Sequence, residues 1–86
     1  MTADQAVTVG EELRAILAQV TGRPELLRVP ADTPLFGAGV GLDSLAGTLL
    51  LRQVQHRYGV DVAAEDLNLD SLATLGTLAA FIAARI

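Results

Sequence analysis

The chain of 86 residues is long enough for one small hydrophobic core and too short for two. It has no cysteine, and its net charge of −4 comes from ten acidic residues against six arginines, so disulfides and thiolate metal sites are excluded and nucleic acid is a disfavoured partner. There is no basic leader and no uncharged apolar stretch of about 18 residues, which disfavours a membrane partner. We expect a single, monomeric, cytoplasmic domain over residues 1–86, with a loosely ordered segment at residues 1–7.

A first amphipathic helix is predicted over residues 9–20. Its apolar side chains recur at the spacing of one helical face: Val9, Leu13, Ile16, Leu17 and Val20. Thr8 and Glu11 have the spacing of a capping box, and Gly22 and Pro24 follow as stop signals. We therefore expect this helix to begin next to Thr8 and to end before Gly22.

The segment from Arg23 to Asp43 contains three prolines and three glycines, too many for a continuous helix or strand. Residues 25–28 could form one helical turn. A long loop in so small a domain tends to be functional. Its apolar residues predict that it packs on the core: Leu27, Val29, Leu35, Phe36 and Leu42.

The second half of the chain predicts three further helices, over residues 44–58, 64–67 and 74–86. The first of them has Asp43 as its N-cap and Gly59 just after its C-terminus. The last has an apolar face for the core, formed by Leu75, Leu78, Phe81 and Ile82. The expected fold is all-α: a small four-helix bundle of three main helices and one short helix, with the long loop between helices one and two.

The residues Gly41-Leu42-Asp43-Ser44-Leu45 close the loop and open the second helix, so the Ser44 hydroxyl lies in the first turn. Free backbone N–H groups and the helix dipole favour a phosphate group at such a position. The nearest histidine, His56, lies roughly 18 Å farther along the helix at about 1.5 Å per residue. With no base beside Ser44 and no second metal ligand for His56, we predict no catalytic residues and no metal site.

Three segments of the chain match the sequence motifs of a known protein family. Asp43-Ser44-Leu45 follows a glycine at the start of the second helix, Tyr58 to Val62 combines an aromatic residue, a turn and an extended apolar stretch, and Thr74 to Leu78 opens the last helix. In these features the chain resembles the acyl carrier and peptidyl carrier protein family from about Glu11 onward. The resemblance implies an acyl-carrier-like bundle in which a separate phosphopantetheinyl transferase attaches 4'-phosphopantetheine to Ser44, and in which Asp43 contributes to recognition by the transferase. Such a carrier holds an acyl or aminoacyl group as a thioester and catalyses nothing itself.

The same resemblance implies several enzyme partners. Besides the transferase, these are an acyltransferase, ligase or adenylation enzyme that loads the arm, and the condensing enzymes of a synthase. They would dock on apolar residues around Leu42, Leu45 and Ala46, or on the acidic side chains of Glu65 and Asp66. Carriers of fatty-acid type usually have an acidic second helix, whereas this one contains no Asp or Glu and has three basic side chains: Arg52, His56 and Arg57.

The cargo stays open between two classes. Asp43-Ser44-Leu45 resembles the motif of acyl carriers, while Ala46 and the non-acidic helix resemble peptidyl and aminoacyl carriers. The resemblance favours a dedicated secondary-metabolite pathway, of polyketide, nonribosomal peptide or hybrid type. Gly47 would allow either close helix packing or space for the arm and its cargo.

The motif occurs twice, since Leu42-Asp43-Ser44-Leu45 is repeated as Leu69-Asp70-Ser71-Leu72. Ser44 follows a Gly-rich loop and opens a long helix, whereas Ser71 lies near the end of the chain with no glycine before it. We therefore predict that Ser71 serves in capping or turn formation. The alternative function for the whole chain is a small helical protein-interaction domain without a prosthetic group.

Overall fold

The computed structural model describes residues 2–86, and four α-helices form its frame. They are α1 (Thr2–Thr21), α2 (Ser44–Tyr58), α3 (Val62–Glu65) and α4 (Leu75–Ala83). Two short 3-10 turns, Pro24–Arg28 and Asp70–Leu72, precede α2 and α4. No strand longer than an isolated bridge between Pro34 and Thr74 occurs in this part of the chain. The all-α bundle expected from the sequence is therefore confirmed.

The first helix begins earlier than its sequence pattern predicts. α1 starts at Thr2, so Thr8 and Glu11 lie in the helix interior and the predicted capping box between them is wrong. Residues 2–7, which were expected to be loosely ordered, belong to α1, while Met1 lies outside the described residues. Gly22 ends the helix as predicted, in the left-handed conformation at φ 71° that glycine adopts without strain.

The hydrophobic core lies where α1 and α4 pack side by side and α2 packs against α1. Its largest fully buried side chains come from all three helices and the loop: Leu13, Leu17, Leu35, Leu50, Leu75, Leu78 and Ile82. Burying one such side chain contributes roughly 1.5–3 kcal/mol relative to leaving it in water. The predicted inward faces of α1 and α4 are confirmed, with Val20 and Phe81 only partly buried at the edges.

The long loop between α1 and α2 is fixed to the start of α4. Three backbone N–H groups donate to carbonyl oxygens across this contact: Gly76 to Ala31 at 2.7 Å, Leu75 to Thr33 at 3.1 Å and Leu35 to Ala73 at 3.3 Å. From the other side, Arg14 Nε of α1 donates to the carbonyl of Val29 at 2.7 Å. The loop is thus held on two sides by polar contacts as well as by its buried side chains.

Some of the loop residues assigned to the core were wrongly chosen. Leu35 and Leu42 are buried as predicted and Val29 is partly buried, but Leu27 and Phe36 are exposed. Leu26 and Val40 are buried instead. The 3-10 turn over residues 24–28 directs Leu26 inward, and neighbouring side chains on such a turn point in different directions.

Gly39 occupies a turn that has no room for a side chain. A Cβ atom there would overlap the carbonyl oxygen of Pro34. The same oxygen accepts the N–H of Val40 at 2.8 Å, and the N–H of Leu42 then donates to Leu35 at 3.0 Å. This tight turn brings the chain back to the point where α2 begins.

We expect Gly39→Ala to lower the free energy of unfolding by more than about 2 kcal/mol, because backbone atoms must move apart. Gly10→Ala is the matched control, since a Cβ at this helical position would meet its nearest neighbour at an ordinary 3.5 Å. Gly10→Ala should stabilise the protein by up to about 1 kcal/mol through helix propensity. Urea unfolding of the three proteins measures both changes, and equal effects of the two substitutions would contradict the steric argument.

A polar cluster joins α1 to the C-terminal end of α2. Glu12 of α1 accepts a hydrogen bond from the hydroxyl of Tyr58 and one from Arg57 Nη2 at 3.1 Å. The bond from Tyr58, followed by the neighbouring Arg57, holds the pKa of Glu12 below its ordinary value. Burial, and then the Glu12 carboxylate, raise the pKa of Tyr58, so the phenol keeps its proton and remains a donor.

Glu12→Gln should lower the free energy of unfolding by about 1 kcal/mol at neutral pH, because the group that accepts the hydrogen bonds from Tyr58 and Arg57 loses its negative charge. The lowered pKa of Glu12 means that this contribution is present above pH 4.5, the ordinary value for the group, and is lost as the pH falls through the folded-state pKa. The adjacent exposed Glu11→Gln is the control and should change stability little. A Glu12→Gln difference that grew with acidification would contradict the assignment.

The last two helices are shifted or shorter relative to their predicted ranges. α3 covers residues 62–65 because the Asp61 carboxylate accepts the N–H of Ala64 and starts the turn earlier. α4 ends at Ala83, and its start is fixed by a capping box between Thr74 and Thr77. No helix within residues 2–86 combines the length and apolarity needed to span a membrane.

Candidate functional site

Ser44 is the first residue of α2, and Asp43 sets its position. Asp43 has extended backbone geometry, and its carboxylate accepts the N–H of Ala46 at 2.7 Å while its carbonyl accepts the N–H of Gly47 at 2.8 Å. Gly41, at φ 74°, makes the turn that leads into this cap. The predicted helix bounds, N-cap and C-terminal Gly59 are all confirmed.

The first turn of α2 presents Ser44 to solvent. The side chain of Ser44 is exposed, and its carbonyl accepts the hydroxyl of Thr48 at 2.8 Å. The N–H groups of Ser44 and Leu45 precede the first intrahelical donor and are not taken by the Asp43 cap. Together with the dipole of a helix of 15 residues, they fit a phosphate group bound to the Ser44 hydroxyl.

A depression of about 300 Å³ lies beside Asp43, between the end of α1, the loop and α2. Its apolar wall includes Val20, Val40, Leu45 and Leu49. Arg23 lines the same depression and donates from Nη2 to the carbonyl of Val40. The depression therefore offers an apolar surface next to a fixed cation.

Gly47 lies on the opposite flank of α2, under the ring of Phe36. A Cβ at Gly47 would lie 3.1 Å from two ring carbons. The close contact at Gly47 is therefore with a loop side chain, and it shows neither of the two explanations left open by the sequence, close helix packing or a space for the arm. Phe36 remains 40 % exposed and, with Leu69 and Leu72, lines a second apolar depression.

The second copy of the motif has a different environment. Ser71 is 7 % exposed and lies in the 3-10 turn Asp70–Leu72, so its predicted role in a turn is confirmed. Its N–H donates to the carboxylate of Asp66 at 2.7 Å. The contact with Ser71 lowers the pKa of the Asp66 carboxyl.

The residues predicted to dock partners fall into two groups. Leu45 is 69 % exposed and Ala46 is partly exposed, beside Ser44. Leu42, at 7 % exposed, belongs to the core but also lines the depression beside Asp43, so its role as an apolar contact stays a prediction. Glu65 and Asp66 lie away from α2 in sequence and have internal partners: Arg85 Nε at 2.8 Å from Glu65, and Ser71 for Asp66. Their roles in docking stay predictions.

Sequence reasoning missed several residues around Ser44. Leu49 could have been found from its spacing of one helical turn after Leu45. Val20, Arg23 and Val40 reach the site only through the fold, and no local signal connects them to it. His56 is exposed on α2 far from Ser44, and no cluster of three metal-ligating side chains occurs among residues 2–86.

The family model for the phosphopantetheine attachment site matches residues 11–82. The chain belongs to this family. Its members carry 4'-phosphopantetheine covalently on a serine, and they are in general carriers without catalytic activity. The resemblance noted from the sequence is therefore confirmed, and the chain is a phosphopantetheine carrier domain. Searches of curated proteins and of solved structures find no match.

Substitutions of Asp43 separate its capping role from its charge. Asp43→Ala should lower the free energy of unfolding by about 1 kcal/mol, because it removes the acceptor for the Ala46 N–H. Asp43→Asn keeps an acceptor and should cost only a few tenths of a kcal/mol. Thermal unfolding monitored by circular dichroism measures both, and equal losses would show that the charge, not the cap, stabilises α2.

Proposed function

We propose that the protein holds an acyl or aminoacyl intermediate on a 4'-phosphopantetheine arm attached to Ser44 and presents it to partner enzymes. The observation that carries this proposal is the contrast between the two copies of the motif. Ser44 is exposed at the start of a long helix, while Ser71 is buried in a short turn. A transferase needs access to the serine hydroxyl, and this favours Ser44.

The residues around Ser44 fix the position of its hydroxyl and provide a favourable environment for a phosphate group. The Asp43 cap fixes the first turn of α2 so that the Ser44 hydroxyl projects from the surface next to unpaired backbone donors. These donors and the helix dipole stabilise negative charge on the oxygen atoms attached to Ser44. When bound, the arm supplies a thiol that carries the cargo as a thioester. We propose that Asp43 also contributes to recognition by the phosphopantetheinyl transferase.

The surroundings of Ser44 accept more than one class of cargo. The depression beside Asp43 has apolar walls for an acyl chain and the guanidinium of Arg23 at its edge. A charged aminoacyl group would remain in solvent, since burying an unpaired ammonium is costly. We propose a cytoplasmic role in polyketide, nonribosomal peptide or hybrid biosynthesis, with a dedicated loading enzyme and condensing enzymes as partners.

The second candidate is a small helical interaction domain without a prosthetic group. The exposed apolar side chains Leu45, Leu49 and Phe36 are compatible with it. An interaction domain without a prosthetic group does not explain why Ser44 is exposed after a helix cap, or why the chain matches the attachment-site family. The carrier function accounts for all of these features together.

The attachment site is tested by incubating the protein with coenzyme A, Mg²⁺ and a broad-specificity phosphopantetheinyl transferase, followed by intact-protein mass spectrometry. The natural protein and Ser71→Ala should each gain one phosphopantetheine, and Ser44→Ala none. Circular dichroism shows whether each variant is folded.

Other outcomes have distinct meanings. Loss of modification only in a folded Ser71→Ala would move the site to the second copy of the motif. An unmodified natural protein, with a transferase that modifies a control carrier, would favour the interaction domain.

A further inference from the structure

The depression beside Asp43 begins at the attachment point itself. Both chain neighbours of Ser44, Asp43 and Leu45, belong to its lining. The rest of the lining comes from the end of α1, the loop and the next turn of α2, and it includes Val20, Arg23, Val40 and Leu49. A group attached to the Ser44 hydroxyl therefore has this depression within reach of its first atoms.

The walls of the depression are fixed by hydrogen bonds within the protein. On the loop side, the N–H of Val40 donates to the carbonyl of Pro34 at 2.8 Å. At the end of α1, the hydroxyl of Thr21 donates to the carbonyl of Leu17 at 2.7 Å and accepts the N–H of Arg23 at 3.3 Å. Because these bonds exist before any ligand arrives, binding in the depression costs little conformational entropy of the protein.

The guanidinium of Arg23 has hydrogen-bond donors without an acceptor. Its Nη2 donates to the carbonyl of Val40, which orients the group at the edge of the depression. Its Nε is buried without a partner, and the guanidinium makes no other hydrogen bond or ion pair within residues 2–86. A guanidinium carries several N–H donors, and a buried donor without an acceptor is unfavourable. A ligand with an oxygen acceptor would satisfy what the fold leaves unpaired.

The 4'-phosphopantetheine arm has complementary groups in the order that this depression requires. The phosphate on the serine oxygen is followed by a methylene, a carbon with two methyl groups, a hydroxyl and an amide carbonyl. The paired methyl groups are apolar, and the hydroxyl and carbonyl oxygens accept hydrogen bonds. An apolar wall that starts beside Ser44 and ends at a cation matches this sequence of groups.

The second apolar depression, on the opposite flank of α2, is a poorer match for the arm. It is lined by Phe36, Leu69, Leu72 and Ala73, which offer no side-chain donor. No residue of α2 lines it, and the ring of Phe36 lies over Gly47 between it and the helix. The hydroxyl and amides of the arm would lose water there without gaining a side-chain partner.

An acyl cargo also fits an apolar wall, but it is attached at the far end of the arm. To reach the depression beside Asp43, it would have to fold the whole arm back toward Ser44. The paired methyl groups need no such fold, because they follow the phosphate directly. A short tether holds them at an effective concentration on the order of mM, so even a weak contact is populated.

Building on the proposed carrier function, we propose that the depression beside Asp43 binds the phosphate-proximal half of the arm, with the paired methyl groups on its apolar wall and an arm oxygen accepting from Arg23. The distal half of the arm, with the thiol and its cargo, stays in solvent. The arm is thereby held at its base on the loop side of α2, whichever cargo it carries.

The test compares the apo and the phosphopantetheinylated protein by NMR, with the arm carrying a free thiol and no cargo. Nuclear Overhauser effects from the paired methyl groups identify the side chains that they contact, and chemical-shift changes report the ratio of bound to free arm. The variants are Leu49→Gln, Arg23→Gln and Leu69→Gln. Leu69 is the matched control, because it is exposed to a similar extent as Leu49, 43 % against 36 %, and lines the second depression.

The paired methyl groups of the natural protein's arm should contact Val20, Val40 and Leu49. Arg23→Gln should lower the ratio of bound to free arm about tenfold, because a hydrogen bond from a charged donor is lost. Leu49→Gln should lower it as well, and it tests the same site from the surface of α2 without removing a contact that holds the loop. Leu69→Gln should leave the ratio unchanged. Circular dichroism checks that each variant is folded.

Several results would overturn the proposal. They are shift changes confined to the residues next to Ser44, arm contacts with Phe36 or Leu69, and equal effects of the two leucine substitutions. Contacts in the depression that arise only after an acyl group is loaded would show that the cargo occupies it instead of the arm. Intact mass is measured first on each protein, so these failures are distinguishable from failure of the carrier function, which a natural protein without phosphopantetheine would show.

Discussion

The backbone hydrogen bonds between the long loop and the start of α4 fix the place where α2 begins. Ala31 and Thr33 accept N–H groups from the first turn of α4, and the tight turn at Gly39 then returns the chain toward Asp43. Because the loop has no helix or strand of its own after the 3-10 turn Pro24–Arg28, these few bonds replace a hydrogen-bond ladder. A pinned loop that ends in a helix cap fixes the backbone of Ser44 while it leaves the side chain exposed.

Most of the arginine side chains connect segments of this small domain. A chain with one small core buries little apolar surface, so hydrophobic contacts alone hold its segments together weakly. Hydrogen bonds from arginine side chains add to these contacts. Arg14 and Arg23 bind loop carbonyls, and Arg57 joins α2 to α1. These three arginines therefore have partners within the protein. The other arginine of α2, Arg52, is exposed to solvent.

The sequence predicted the bounds of the helices better than the contacts between distant segments. The bounds of α2 were predictable because Asp43 and Gly59 are local signals at both ends. The start of α1 was not, because residues 2–8 extend the helix without continuing its apolar stripe. Likewise, the approach of Arg23 to the site and of Phe36 to Gly47 depends on how the loop folds over α2. Helix ends follow from neighbouring residues, whereas the walls of a site come from segments far apart in the chain.

The two copies of Leu-Asp-Ser-Leu show how context decides the structure of a motif. At the first copy, Asp43 caps a helix that continues because no competing start signal follows until Gly59 ends it. At the second, Leu69 adopts a left-handed conformation at φ 56°, and Thr74 begins a new helix with its own capping box. Only the short turn of residues 70–72 fits between these two points, and its serine is buried against the core. An identical tetrapeptide therefore becomes an exposed helix start in one place and a buried connection in the other, and access to a modifying enzyme follows from that difference.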